Sequence, residues 1–328
     1  MRNTAIRKHL LLLALMAAIS CSVAACSAVG TAGTMPASSE ADRRYLAKIA
    51  LLRWNAEQAR LYLVSSRVFD AALRSGKCEA TKPFMGFLLD SEQALPSHLR
   101  EEADALGLQS GEPRIIAVVP GGPAADAGLV PGDRVLATTG SHPEGVDQLH
   151  IRRGERELSV PLTARLACAY TVQLEPDTEI GAYGTFSGIH VTYGQARAFP
   201  DDAMLAFVVG HEVGHFVSGH VTTRAGVLGS TVAIDLAITK GLLTIASQLA
   251  LRPLWRREEL EADQVGLLLA RRAGYDPDRI LQAWPTYAAV APGRVQRGWF
   301  GDHPGMAERY SALSAILSGQ AEQTQKSK

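Results

Sequence analysis

The chain has 328 residues, with 33 Lys and Arg balanced against 33 Asp and Glu; 47% of its residues are hydrophobic and only 6% aromatic. At ~100–200 residues per domain, that length holds two domains or one elaborated one and can bury a real core. Charge balance removes the electrostatic case for a nucleic-acid partner, which needs a basic surplus. A 20% share of charged residues excludes a largely disordered chain, and four Cys are too few for a disulfide scaffold.

The N-terminus reads first as an address. Arg2, Arg7 and Lys8 precede the apolar run Leu10 to Ile19, which is too short to span a bilayer, and Val23-Ala24-Ala25-Cys26 follows. Residues 1–25 thus read as a secretory signal. Its ending resembles the lipobox of bacterial lipoproteins, with Cys26 as the acylated first residue and Cys21 the weaker candidate. The resemblance implies a lipid anchor to membrane in the bacterial cell envelope. Ser27 after the cysteine points to the periplasmic face of the outer membrane. Losing this signal removes three positive charges and no negative ones, so the mature chain is slightly acidic. Export also places Cys78 and Cys168 in an oxidising compartment, where a disulfide and two buried thiols are the alternatives.

Residues 26–39 are rich in Ser, Ala, Gly, Thr and Pro and read as a tether. In 40–76, Leu46, Ile49, Leu52, Ala56, Ala59 and Leu63 recur at helical spacing, uninterrupted until Gly76, so the periodicity predicts one long amphipathic helix. Residues 319–328 form a polar tail.

Residues 77–168 read as a β-rich module. Arg114 to Val119 is a strand, Ala124 to Ala127 a single helical turn closed by Gly128, and Pro131-Gly132 a tight turn into the strand Arg134 to Ala137. A hairpin follows from Ile151 to Val160, turning at Gly154. The run Pro120 to Asp133 is similar to the central segment of bacterial PDZ domains. Phe84-Met85-Gly86-Phe87 resembles their carboxylate-binding loop, which implies peptide C-termini as ligands added along the following strand. Two departures stand out: a long insertion at 90–112, helical from Leu99 to Leu106, and a short 141–150 stretch where the groove-lining helix belongs.

The chemistry lies in 170–318. Phe199-Pro200-Asp201-Asp202 opens a helix whose apolar run leads into His211-Glu212-Val213-Gly214-His215. Positions four apart differ by roughly 40° around a helix, so both imidazoles project from one face, as a tetrahedral Zn²⁺ requires. Glu212 sits beside them, within reach of water at the metal. His220, near 140° round the same helix, cannot join that face. A carboxylate at the head of a second helix is the third-ligand candidate. In Arg256 to Asp263, Glu259 and Asp263 share a face while Glu261 points away. Glu259 is the preferred ligand, Glu258 the runner-up, and Asp263 an acceptor for a ligand imidazole N–H.

The pair His-Glu-x-x-His and Glu-x-x-Ala-Asp resembles the gluzincin metallopeptidases of the HtpX, BepA and CAAX prenyl protease type. Ile180 to Gly184 and Gly188 to Val191 resemble the hairpin that precedes their metal helix, with Gly181 standing where an Asn is common. Ala182, Tyr183 and Gly184 would form the edge strand that receives substrate. Asp302-His303-Pro304 with Arg309 is similar to their late His-Pro motif; His303 would steady the oxyanion or act as a fourth zinc ligand. The resemblance implies one Zn²⁺ per chain, general-base catalysis by Glu212, and unfolded or misassembled envelope proteins as substrates.

The apolar stretch 225–251 is interrupted by Asp235 and Lys240, which favours a helical pair over the active site rather than a membrane hairpin. The whole reads as an α+β chain: a long helix and PDZ-like module ahead of a mostly helical metallopeptidase with a small edge hairpin. The activity expected is a zinc endopeptidase of the cell envelope acting in protein quality control. A zinc-stabilised chaperone or adaptor without hydrolysis is the alternative.

Overall fold

The computed structural model describes residues 39–90, 95–97, 99, 100, 103, 111–139, 148–186, 188–222, 242–290 and 305–326. Cys26 and the signal, most of the 90–112 insertion, 141–147, 223–241 and Asp302-His303-Pro304 lie outside the described residues. By its contacts the chain divides into Met1–Leu46 and Ala47–Lys328, and the packing below belongs to the second unit.

Helix and strand are mixed, as an α+β chain requires. The first element is the long helix α1, Glu40–Arg74. It ends where Gly76 takes φ 63° and Lys77 N–H reverses to donate to Ala72 O at 2.9 Å, which satisfies a terminal carbonyl of the helix. Its buried residues include Leu51, Trp54, Leu61, Val64, Val68 and Phe69.

Next come β1 (Thr81–Phe84), β2 (Phe87–Asp90), β3 (Arg114–Val118), the single turn α2 (Pro123–Asp126), β4 (Arg134–Thr139), β5 (Gln148–Arg153), β6 (Arg156–Pro161) and β7 (Arg165–Cys168). Strands β2 to β6 form a five-stranded sheet in sequence order, antiparallel throughout, with β2 at one edge. Ile115, Ala124, Leu129, Val135, Leu149 and Ile151 fill its core. Strand β1 pairs antiparallel with β7, and Cys78 is joined to Cys168 by a disulfide with Cα atoms 5.4 Å apart.

The last third packs a small sheet against helices. Strands β8 (Val172–Glu175), β9 (Ala182–Thr185) and β10 (Gly188–Thr192) run in the order β8-β10-β9, so β9 is the edge. Helix α3 (Tyr193–Ala198) is capped by Thr192, whose hydroxyl accepts from Gln195 N–H. Helix α4 (Asp202–Val217) is capped by Asp201, which accepts from Ala203 N–H at 2.7 Å. Then follow α5 (Leu242–Arg272), α6 (Pro277–Val290) and α7 (Met306–Lys326). The carboxylates of Glu258 to Asp263 therefore lie in the second half of a 31-residue helix, not at its head. The helix continues upstream through residues 242–251 of the apolar stretch. Among the described residues, no helix is long and apolar enough to cross a membrane.

One core joins α1 to this layer: Leu61, Val64, Val68 and Phe69 pack with Ile189, Val191, Met204, Phe207 and Leu269. A smaller cluster joins Leu51 and Trp54 to Leu95, Leu99 and Ala103 of the insertion, with Leu174 and Tyr193 against it.

Candidate metal centre

Helix α4 is apolar on nearly every side because it is enclosed: Met204, Leu205, Ala206, Phe207, Val209 and Val213 are all buried. Its polar residues must then find partners within the fold. His211 and His215, one turn apart, are both buried, and so is Glu212. Helix α5 crosses close to α4 because glycine lines the contact. A Cβ at Gly210 would sit 3.0 Å from Gly266 Cα, one at Gly214 2.9 Å from Ala262 Cα, and one at Gly266 2.9 Å from His211 N. That close approach brings Glu259 and Asp263, each 1% exposed, up to the imidazoles.

The donors converge. His211 Nε2 lies 3.1 Å from His215 Nε2, and Glu259 places Oε2 3.4 Å from the first and Oε1 3.4 Å from the second. One atom from each of the three residues lies within 4.8 Å of the others, a buried set that could hold a metal ion. Two imidazole nitrogens and one carboxylate oxygen are the donor chemistry of a three-ligand zinc site. Glu258, the alternative ligand, is buried but is not in the converging set.

Around the donors sits a charged frame. Asp263 Oδ1 meets His211 Nδ1 at 2.9 Å, and Arg309 holds Asp263 from α7, its Nε donating to Oδ2 at 2.8 Å and its Nη2 to Oδ1. Burial would raise the Asp263 carboxyl, but the Arg309 guanidinium holds it below the usual carboxylate range. Burial also pulls the His211 imidazole down, yet hydrogen bonds to Asp263 and Glu259 outweigh it and lift the metal-free ring to about 9. Arg309 lies over Trp284 as well, 5.4 Å from the ring centroid.

Strand β9 flanks the centre. A Cβ at Gly184 would lie 3.1 Å from the Phe216 ring and 3.5 Å from Glu212 Oε2, so the strand passes directly beside Glu212. Tyr183, 48% exposed, stacks on His190 at 5.0 Å. His190 Nδ1 is 2.6 Å from Glu175 Oε1 and its Nε2 3.0 Å from Thr185 Oγ1, which ties all three strands together.

The structure thus brings together His211, Glu212, His215, Glu259, Asp263 and Arg309, with Ala182, Tyr183 and Gly184 on the adjacent edge. His303 is outside the described residues. Sequence reasoning missed the Gly210, Gly214 and Gly266 contact and the His190 tie. It also set His220 aside as lying off the ligand face, whereas His220 Nδ1 lies 3.0 Å from His215 Nδ1. Small residues facing each other across two helices were a readable signal for the first.

Residues 170–317 match the family model described as Peptidase family M48. The mitochondrial metalloendopeptidase OMA1 of Arabidopsis thaliana is 41% identical over 99 residues, 27% of this chain and 19% of that protein. Metalloprotease LoiP of Escherichia coli (strain K12) is 30% identical over 160 residues, 45% of this chain and 62% of LoiP. The beta-barrel assembly-enhancing protease of the same organism is 28% identical over 127 residues, 33% of this chain and 25% of that protein. The chain spans under about two thirds of the length of these curated relatives.

Proposed function

Residues 170–317 match the model of peptidase family M48, and on that premise we propose that the chain is a zinc-dependent metalloendopeptidase of the bacterial cell envelope. The observation that carries this reading is the convergence of His211, His215 and Glu259 in a buried site with Glu212 beside them. A structural zinc site has no use for such a neighbouring base, so hydrolysis is favoured over a binding-only role.

His211, His215 and Glu259 would hold the ion. Bound zinc would supply Lewis acidity, favouring deprotonation of water and polarising the scissile carbonyl. Glu212 takes the proton from the attacking water and later delivers it to the departing amine. Asp263 and Arg309 keep His211 aimed. An extended substrate would pair with the β9 edge through backbone hydrogen bonds, and Gly184 leaves room for its carbonyl beside Glu212. His303, which the resemblance places near the site, would steady the oxyanion or latch the metal.

The five-stranded sheet supports a PDZ-like role for residues 77–168. Gly86, at φ 81°, turns the chain into edge strand β2, and Ala124 N–H donates to Met85 O at 2.9 Å. Peptide C-termini would add along β2. A Cys26 anchor would keep the enzyme at the membrane, with misassembled envelope proteins as substrates.

The deciding experiment compares casein hydrolysis by the wild type and Glu212→Gln, with zinc content measured on both. The variant should keep its metal and lose about 10²-fold or more of its turnover. Equal hydrolysis by the two proteins sinks the assignment.

A further inference from the structure

His211 and His215 are one turn apart on the same helix, yet they are held by different chemistry. His211 Nδ1 meets the carboxylate of Asp263 at 2.9 Å. His215 Nδ1 meets another imidazole, His220 Nδ1, at 3.0 Å, with the two rings inclined at 67°. On an uninterrupted helix that fifth residue would lie on another face. It does not, because α4 ends at Val217 and Gly219 takes φ 69°, turning the chain so that His220 falls back over His215.

Proton counting assigns the roles. Two ring nitrogens at hydrogen-bond distance share one proton, so one donates and the other accepts. His215 Nε2 is the atom facing Glu259 and His211, so the neutral ring that would ligate through it carries its proton on Nδ1. His215 Nδ1–H therefore donates and His220 Nδ1 accepts. A neutral His220 then carries its own proton on Nε2, which faces Glu261 Oε2 at 3.7 Å. Ser218 Oγ donates to the other Glu261 oxygen at 2.8 Å. The series runs from a buried imidazole to a carboxylate that is 52% exposed.

We infer that His220 is a positioning residue of the metal centre: it accepts the Nδ1 proton of His215 and so sets that ring's tautomer and aim. The inference rests on His211, His215 and Glu259 being metal ligands. It separates the two imidazoles by function, one fixed by a charged pair within the core and the other by a neutral ring connected to the surface.

The test uses the purified full-length chain, stripped of metal, with zinc affinity read by competition against a chromophoric chelator. The visible absorption of the cobalt-substituted protein is recorded alongside. His220→Leu removes the acceptor and should weaken zinc binding by about tenfold and alter the cobalt spectrum. His220→Asn places an amide oxygen where Nδ1 stood and should stay within about threefold of the wild type, with the native cobalt spectrum. His220→Gln sets its amide at the Nε2 position instead, so it should lose affinity as Leu does, and it replaces Leu if that variant fails to fold. Wild-type affinity in both Leu and Gln variants overturns the inference, as does an Asn variant that loses as much as they do. A wild-type chain that binds no zinc overturns the ligand assignment beneath it, a distinct result.

Discussion

Asp263 owes its charge to Arg309. Asp263 is buried and Arg309 half-buried, and without the guanidinium the carboxylate would be left leaning on the His211 imidazole. Replacing Arg309 by Leu should cost about 3–5 kcal/mol at neutral pH, measured by urea unfolding. The pH dependence follows from the lowered carboxyl. The stabilisation is fully present above the unfolded carboxylate value of about 3.9 and is lost as pH falls through the lower folded value. The gap between wild type and Arg309→Leu should therefore shrink as the solution is acidified; a constant gap refutes the pairing as its cause. At this scale the shared face of His211 and His215 was legible because a helix has a known angular repeat. The same arithmetic hid His220, since it assumed α4 continues past Val217, where the chain in fact turns at Gly219.

Two elements meet at the candidate metal centre through their backbones. The Cβ of Gly266→Ala would lie 2.9 Å from His211 N and 3.0 Å from Phe207 O, too near for a carbon atom to stay. Pushing α5 away should cost about 1–3 kcal/mol, as overpacking does, and lower zinc affinity by withdrawing Glu259. Unfolding and chelator competition measure the two effects on one protein. An alanine variant with native stability and affinity would show that the helices can separate freely. Gly184→Val tests the strand beside them. Its side chain would press on Phe216 and crowd Glu212, so peptide hydrolysis should fall about tenfold or more while zinc content stays unchanged. The hairpin was legible through the resemblance of Ile180 to Gly184 and Gly188 to Val191, and the α4 start through Asp201 and Asp202 ahead of the apolar run. The beginning of α5 was not, because its apolar upstream residues carry no cap or turn signal near Arg256.

At the scale of the whole chain, the disulfide joins the two ends of the β-rich module, while α1 reaches both Asp90 of that module and the core of the helical layer. Cys78 and Cys168 are 90 residues apart, and closing a loop of that length stabilises by about 4–5 kcal/mol in the chain-entropy account. Reduction, or paired Cys78→Ser and Cys168→Ser changes, should lower the urea-unfolding free energy by about 2–5 kcal/mol. An unchanged transition midpoint would refute a stabilising role. Sequence could frame that bridge but not show the thiols meeting, since pairing depends on where β1 and β7 lie in three dimensions. The insertion was equally opaque in purpose: Leu95, Leu99 and Ala103 read as a departure from a pattern, yet they pack on Leu51 and Trp54.

The reach of α1 sets a limit on dissecting this protein. Leu61, Val64, Val68 and Phe69 lie far outside residues 170–317, but they close the interior that α4 and β10 need. The segment that matches the family model is thus smaller than the segment that shares its core. A fragment cut at that border would present a greasy, roofless face to water, and its silence in an assay would say nothing about the full chain.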